Sequence, residues 1–262
     1  MSAKILLRKT SLVDYPGRIS SVLFFYGCNL RCPWCHNHEL FEATGEVDPD
    51  SLVTFEGALT HIRKRRSVLG GVVLSGGEPC CQAELPDIIR EIKKLSLPVK
   101  LDTNGMFPAM LKELFNSKET KPDFIALDLK IAPYRYGELI ALEKVKNHGA
   151  ARSFNKTSPA SSVKLDDEIP DNLIQSAALI REAGIEHEYR SLALPGGYFT
   201  EKDIEALAPL TDTAPWHFRP FRGGNCLDPA WDKLEEPVAE ARARAEVLAA
   251  KARELGKNGL CL

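Results

Sequence analysis

The sequence predicts an α/β fold built on a largely parallel sheet. Short apolar, β-rich runs alternate with helical patterns along the chain, and the chemically unusual residues come directly after those runs. Composition agrees: 44% hydrophobic and 27% charged residues are ordinary for a globular chain, and 262 residues are enough for one sizeable core.

The elements follow in order. Ser21–Tyr26 reads SVLFFY, the continuous apolar run of a strand covered on both faces. Ser51–Arg66 is the first helix, with Asp50 as its N-cap. Strand Gly71–Leu74 precedes helix Ala83–Leu95, and strand Val99–Leu101 precedes helix Pro108–Phe115, which opens on proline. Strand Phe124–Leu127, helix Asp171–Ala183 closed by Gly184, strand Glu188–Leu192, helix Glu201–Leu210 and strand Trp216–Phe218 complete the alternation. Residues 236–262 form a C-terminal unit, a helix over Glu236–Leu255 with Pro237 in its first turn and Gly256 past its end, followed by a tail. The alternating domain covers 1–235, and within it 147–167 is polar and aperiodic, a flexible insertion.

Such βαβ units fit an open doubly wound sheet or a full or partial barrel, and periodicity does not choose. Either architecture gathers ligands at the C-terminal strand ends. Gly27–His38, Ser75–Pro79, Asp102–Gly105, Asp128–Lys130 and Arg219–Asn225 each follow a strand, so they are expected on one rim.

A net charge of -2 offers no basic excess for nucleic acid. No apolar run nears the roughly 20 residues that span a bilayer, and MSAKILLRKTSLVDYPG lacks a secretory core, so the expectation is a cytoplasmic protein without a membrane partner. Three of the 7 cysteines crowd into YGCNLRCPWCHNHE as C-x3-C-x2-C. Soft thiolates at this spacing suit an iron–sulfur cluster with one open iron, or a Cys3His zinc site completed by His36 or His38. Cys80 and Cys81 are adjacent while Cys226 and Cys261 are isolated, which is poor spacing for a second cluster. In Ser75-Gly76-Gly77-Glu78-Pro79, paired glycines allow backbone to approach a ligand closely. Asp102 and Asp128 sit at strand ends, where a carboxylate must be exposed, paired or bound to a cation, and Lys130 offers a partner.

The loop GCNLRCPWCHN resembles the radical S-adenosylmethionine (SAM) signature, and its wider wording resembles the activating enzymes of glycyl-radical enzymes. The resemblance implies a partial (β/α)6 TIM-like barrel. It also implies that Cys28, Cys32 and Cys35 hold one 4Fe–4S cluster whose free iron takes the methionyl amine and carboxylate of SAM. By the same resemblance Trp34, Cys35 and His36 contact the adenosyl part, and Gly76, Gly77 and Glu78 hold the ammonium through backbone and carboxylate. Asp102, Thr103, Asp128, Leu129 and Lys130 complete the SAM site, Asp102 and Asp128 also take a monovalent cation, and Arg190 faces ribose or carboxylate. Arg222 falls where the pyruvate formate-lyase activators carry a SAM-contacting histidine, a departure from that branch. Lys9–Gly17, Phe218–Pro220 and Gly224–Pro229 are instead similar to anaerobic ribonucleoside-triphosphate reductase activating proteins. The implied reaction removes a glycine Cα hydrogen from a partner, anaerobic ribonucleotide reductase, with a flavodoxin or ferredoxin as electron donor. Other readings are activation of a pyruvate formate-lyase-like enzyme, radical SAM chemistry on a small molecule, and a zinc or electron-transfer module.

Overall fold

The computed structural model describes residues 4–41, 52–140, 169–234 and 236–262, so the proposed insertion at 147–167 lies outside the described residues. The strands are β1 (Lys4–Ser11), β2 (Ser20–Phe25), β3 (Leu52–Thr54), β4 (Gly71–Gly76), β5 (Val99–Thr103), β6 (Phe124–Asp128), β7 (Glu186–Ala193), β8 (Pro215–Pro220) and β9 (Asn258–Cys261). The helices are α1 (Phe55–Arg65), α2 (Leu85–Lys93), α3 (Pro108–Phe115), α4 (Ile169–Glu182), α5 (Glu201–Leu207), α6 (Pro229–Asp232) and α7 (Val238–Glu254).

One 9-stranded sheet has the order β3-β1-β2-β4-β5-β6-β7-β8-β9. Every pairing from β2 to β9 is parallel, and β1 runs antiparallel to both neighbours. The order ends at β3 and β9 without joining them, which makes a partial barrel of the expected kind. The sequence reading placed six strands; β1, β3 and β9 are additional. β9 pairs in parallel with β8, so residues 236–262 form a further βα unit of the same sheet.

Strand alternation divides the core. Leu23, Phe25, Val72, Leu74, Leu101, Ile125, Tyr189 and Trp216 face the helices in one apolar layer. Val22, Phe24, Val73 and Phe124 point the other way and fill the barrel interior together with Tyr15 and Leu40. Helix α2 shows how the outer layer is held: Leu85, Ile88, Ile89 and Ile92 are fully buried. Each such side chain contributes about 1.5–3 kcal/mol of apolar transfer.

Local signals set the helix ends. Thr54, not Asp50, caps α1, its hydroxyl accepting from Gly57 N at 3.1 Å. Thr200 and Asp203 form a capping box at α5. Pro237 stands at the N-cap of α7 rather than in its first turn, and Gly256 turns the chain with φ +73° after the helix. α7 lies so close to β9 that a Cβ on Gly259 would sit 2.4 Å from the Ala249 carbonyl oxygen. Among the described residues no helix is long and apolar enough to cross a membrane.

Candidate active site

The cysteine loop leaves β2 through Gly27, whose φ of +89° favours glycine. Gly27 N bonds Leu40 O at 2.7 Å and closes the base of the loop, and Arg31 N bonds Leu139 O at 2.7 Å. Cys35 N bonds Cys32 O at 3.0 Å, a tight turn joining the last two cysteines. Cys28, Cys32 and Cys35 all line one cavity of about 400 Å³ at the C-terminal strand ends.

The Gly-Gly segment is docked on that loop. Gly77 N donates to Phe25 O at 2.9 Å and Glu78 N to Gly27 O at 2.8 Å. A Cβ on Gly77 would lie 2.0 Å from Gly27 O, so only glycine permits this approach. The Glu78 carboxylate is buried and turned inward, accepting from Cys80 N (3.0 Å), Thr103 Oγ1 (2.8 Å) and Asn104 N (2.7 Å). Those bonds tie the β4 end to the β5 end, and Gly76, Gly77 and Glu78 line the cavity as expected. Burial raises the Glu78 pKa against these donors.

Of the remaining expected residues, Trp34, His36, Asp102, Thr103, Asp128, Leu129, Lys130 and Arg190 line the same cavity. The Trp34 indole is buried, packing 5.2 Å from both Tyr198 and Trp231. Arg222 does not join them: it lies in a second cavity with Glu236, Val238 and Leu262. The chain turns away after β8 ends at Pro220, and Arg219, on the inner face of β8, lines the site instead. Ser75 and Asn104, inside the segments expected on the rim, line it too, as do Arg8 and Asp14, which the sequence reading did not assign to the site. Arg219 opens the last of those segments, Arg219–Asn225.

Each oxygen of the two carboxylates has a donor from the protein. Asp102 accepts from Lys100 Nζ at Oδ1 (2.5 Å) and from Ser75 Oγ at Oδ2 (3.0 Å). Asp128 accepts from Arg190 Nε at Oδ1 (2.8 Å) and Lys130 Nζ at Oδ2 (3.1 Å). These protein cations stand where a monovalent metal was expected, so the structure does not fit that ion. Burial opposes the Asp128 charge, but Arg190 and Lys130 outweigh it and hold the carboxyl well below its ordinary range.

The thiols suit a large, soft metal group. Burial pushes Cys28 and Cys32 up to about 12 and raises Cys35, while Lys130 pulls all three down. Buried thiolates therefore call for a metal to compensate their charge. Leu30 N (3.4 Å) and Asn104 Nδ2 (3.9 Å) donate to Cys28 Sγ, as donors do around cluster sulfurs. Among the described residues no three His, Cys, Asp or Glu side chains converge as a single-ion site requires, and His38 does not line the cavity.

Residues 22–210 match the Radical SAM superfamily. The chain belongs to that family. Radical SAM enzymes carry a 4Fe–4S cluster and SAM, and the soft, buried donor set described here fits the cluster. A Methanocaldococcus jannaschii protein named for activating glycyl-radical enzymes is 28% identical over 235 residues, 87% of this chain and 83% of its own length. The pyruvate formate-lyase 1-activating enzyme of Escherichia coli is 36% identical over 126 residues, 45% of this chain and 48% of its own. The crystal structure of QueE from Escherichia coli superposes with a TM-score of 0.55 at 14% identity, covering 100% of this chain and 94% of that one, a likeness of radical SAM fold.

Proposed function

We propose that this chain is a glycyl-radical enzyme activase, with Cys28, Cys32 and Cys35 holding the cluster and the facing strand ends holding SAM. The observation that carries the reading is the docking of Gly76–Glu78 on Gly27–Cys28, which sets three thiols and a backbone cradle into one cavity with Asp102, Asp128, Lys130 and Arg190. When bound, the reduced cluster supplies the electron that splits SAM into methionine and a 5′-deoxyadenosyl radical. The chain's own residues bind and orient. Backbone at 76–78 accepts the methionyl ammonium, Lys130 and Arg190 face the carboxylate, and Trp34, Cys35 and His36 form the wall for the adenosyl part.

The partner we propose is an anaerobic ribonucleotide reductase, presenting a glycine loop at the cavity mouth, with a flavodoxin or ferredoxin as electron donor. Support for the reductase comes from the segments Lys9–Gly17, Phe218–Pro220 and Gly224–Pro229, while the relatives named for activation support a glycyl-radical enzyme as the class of partner. Asp14 of the first of those segments lines the cavity, as does the preceding Arg8.

The test is anaerobic reconstitution with iron and sulfide, reduction, addition of SAM, and quantitation of 5′-deoxyadenosine beside the Cys32→Ala variant. Electron paramagnetic resonance then reads the glycyl radical after mixing with the reductase. SAM cleavage by wild type alone, with about one SAM consumed per glycyl radical, supports the activase. Cleavage without a radical on the reductase removes that partner, and equal cleavage by Cys32→Ala refutes the ligand assignment.

A further inference from the structure

The inner face of the sheet carries a run of opposite charges from Lys130 to Glu188, with the His217 imidazole at its end. Lys130 pairs with Asp128 (3.1 Å), Asp128 with Arg190 (2.8 Å), and Arg190 Nη1 with Asp102 (3.4 Å). Asp102 pairs with Lys100 (2.5 Å), Lys100 with Glu188 (3.8 Å), and Glu188 with His217 Nε2 (3.4 Å). Strand alternation puts Lys100 on the same face as Asp102, one step deeper in the barrel, where only 1% of its side chain is exposed. Phe124 lies beneath it, with the ammonium 5.8 Å from the ring centroid.

Lys100, Lys130 and Arg190 balance Asp102, Asp128 and Glu188, three cations against three anions. An added alkali ion would place a further positive charge beside the ammonium and guanidinium groups that already hold both aspartates. The lysine ammonium is itself a compact monovalent cation.

We propose that Lys100, with Arg190 bridging the two aspartates, is a built-in cation that positions Asp102 and Asp128 toward SAM, so that SAM binding requires no free alkali metal. Lys100 is a positioning residue here, since it touches Asp102 rather than SAM. The inference rests on the SAM site proposed above.

The experiment is isothermal titration of SAM into the reconstituted protein in tetramethylammonium chloride and in potassium or sodium chloride at equal ionic strength. Wild-type affinity should change by less than about threefold between these salts, a difference under roughly 0.7 kcal/mol. A gain of about threefold or more with potassium or sodium overturns the proposal while leaving the SAM site intact. Loss of binding in every salt overturns the site reading and the proposal with it. Lys100→Met vacates the Asp102 Oδ1 side, and its SAM affinity should become dependent on potassium or sodium by about tenfold. A folded Lys100→Met protein whose SAM affinity matches wild type in tetramethylammonium overturns the positioning role. Should that variant not fold, the wild-type salt comparison decides alone.

Discussion

Leu227 donates its backbone N–H to the Cys35 carbonyl at 3.0 Å, binding a segment beyond the last inner strand to the cysteine loop. Asp228 N bonds Pro33 O at 2.9 Å, Asn225 Nδ2 bonds His36 O at 3.2 Å, and Trp231 packs on Trp34. The loop is therefore clamped from outside, with α6 as the clamp's anchor. Trp231→Ala should cost about 3–5 kcal/mol, the usual range for deleting a buried large aromatic. It should also speed loss of iron to a chelator, read by the decay of the cluster's visible absorbance.

Glu78 is the second fastening. Its carboxylate receives three donors from two different loops, so Glu78→Gln presents an amide N–H to a group that already donates. The expected cost is about 1–3 kcal/mol in chemical denaturation of the anaerobic protein. Because all three donors are the protein's own, SAM affinity measured well below the unfolding transition should fall less than stability does.

Glycine substitutions should separate sharply by position. Gly77→Ala drives a Cβ to 2.0 Å from Gly27 O, a backbone atom that cannot rotate away. A loss of about 3 kcal/mol or more is expected, at or beyond the upper end of ordinary overpacking. Gly137→Ala meets nothing within 4 Å and should stay within about 0.5 kcal/mol of wild type. Urea midpoints of the two variants check this, and equal midpoints would contradict the close docking of Gly77 on the cysteine loop.

The Asp128 carboxyl is held below its unfolded value by Arg190 and Lys130. Its contribution to stability is thus complete above the unfolded pKa of about 3.9 and is lost as pH falls from there toward the folded value. Asp128→Asn should be less stable than wild type near neutrality. The difference should shrink as unfolding is followed down through pH 4, because only wild type must then protonate that carboxylate. A difference that stays constant with pH would show that the ion pairs contribute no net charge-dependent stability.

Much of this arrangement was legible before any coordinates. SVLFFY and GVVL announce strands covered on both faces, and β2 and β4 are such strands. Parallel strands put their C-terminal ends on one edge, so the cysteine loop, the Gly-Gly turn and the two aspartates were expected together and share one cavity. Local pattern records burial with a period of 2 or 3.6, and that suffices for the type and order of elements. β1 escaped because KILLRKTS interleaves charge, and β3 and β9 because three or four residues hold too little period to read.

What tertiary structure alone decided is which side chains meet. Arg222 and Arg219 are equally basic and lie on the same segment, yet the end of β8 sends one away and keeps the other at the rim. Lys100 stands two positions before Asp102, so a shared face was implicit, but its pairing with Glu188 depends on the register of β5, β6 and β7. The same holds for the clamp of Leu227 on Cys35. The sequence by itself determined the βα order, the cysteine spacing and the rim on which the site would form. Cross-strand register and loop docking join residues far apart in the chain, and no local period encodes such contacts, so the occupants of Asp102 and Asp128 and the inward turn of Glu78 were decided only by the fold.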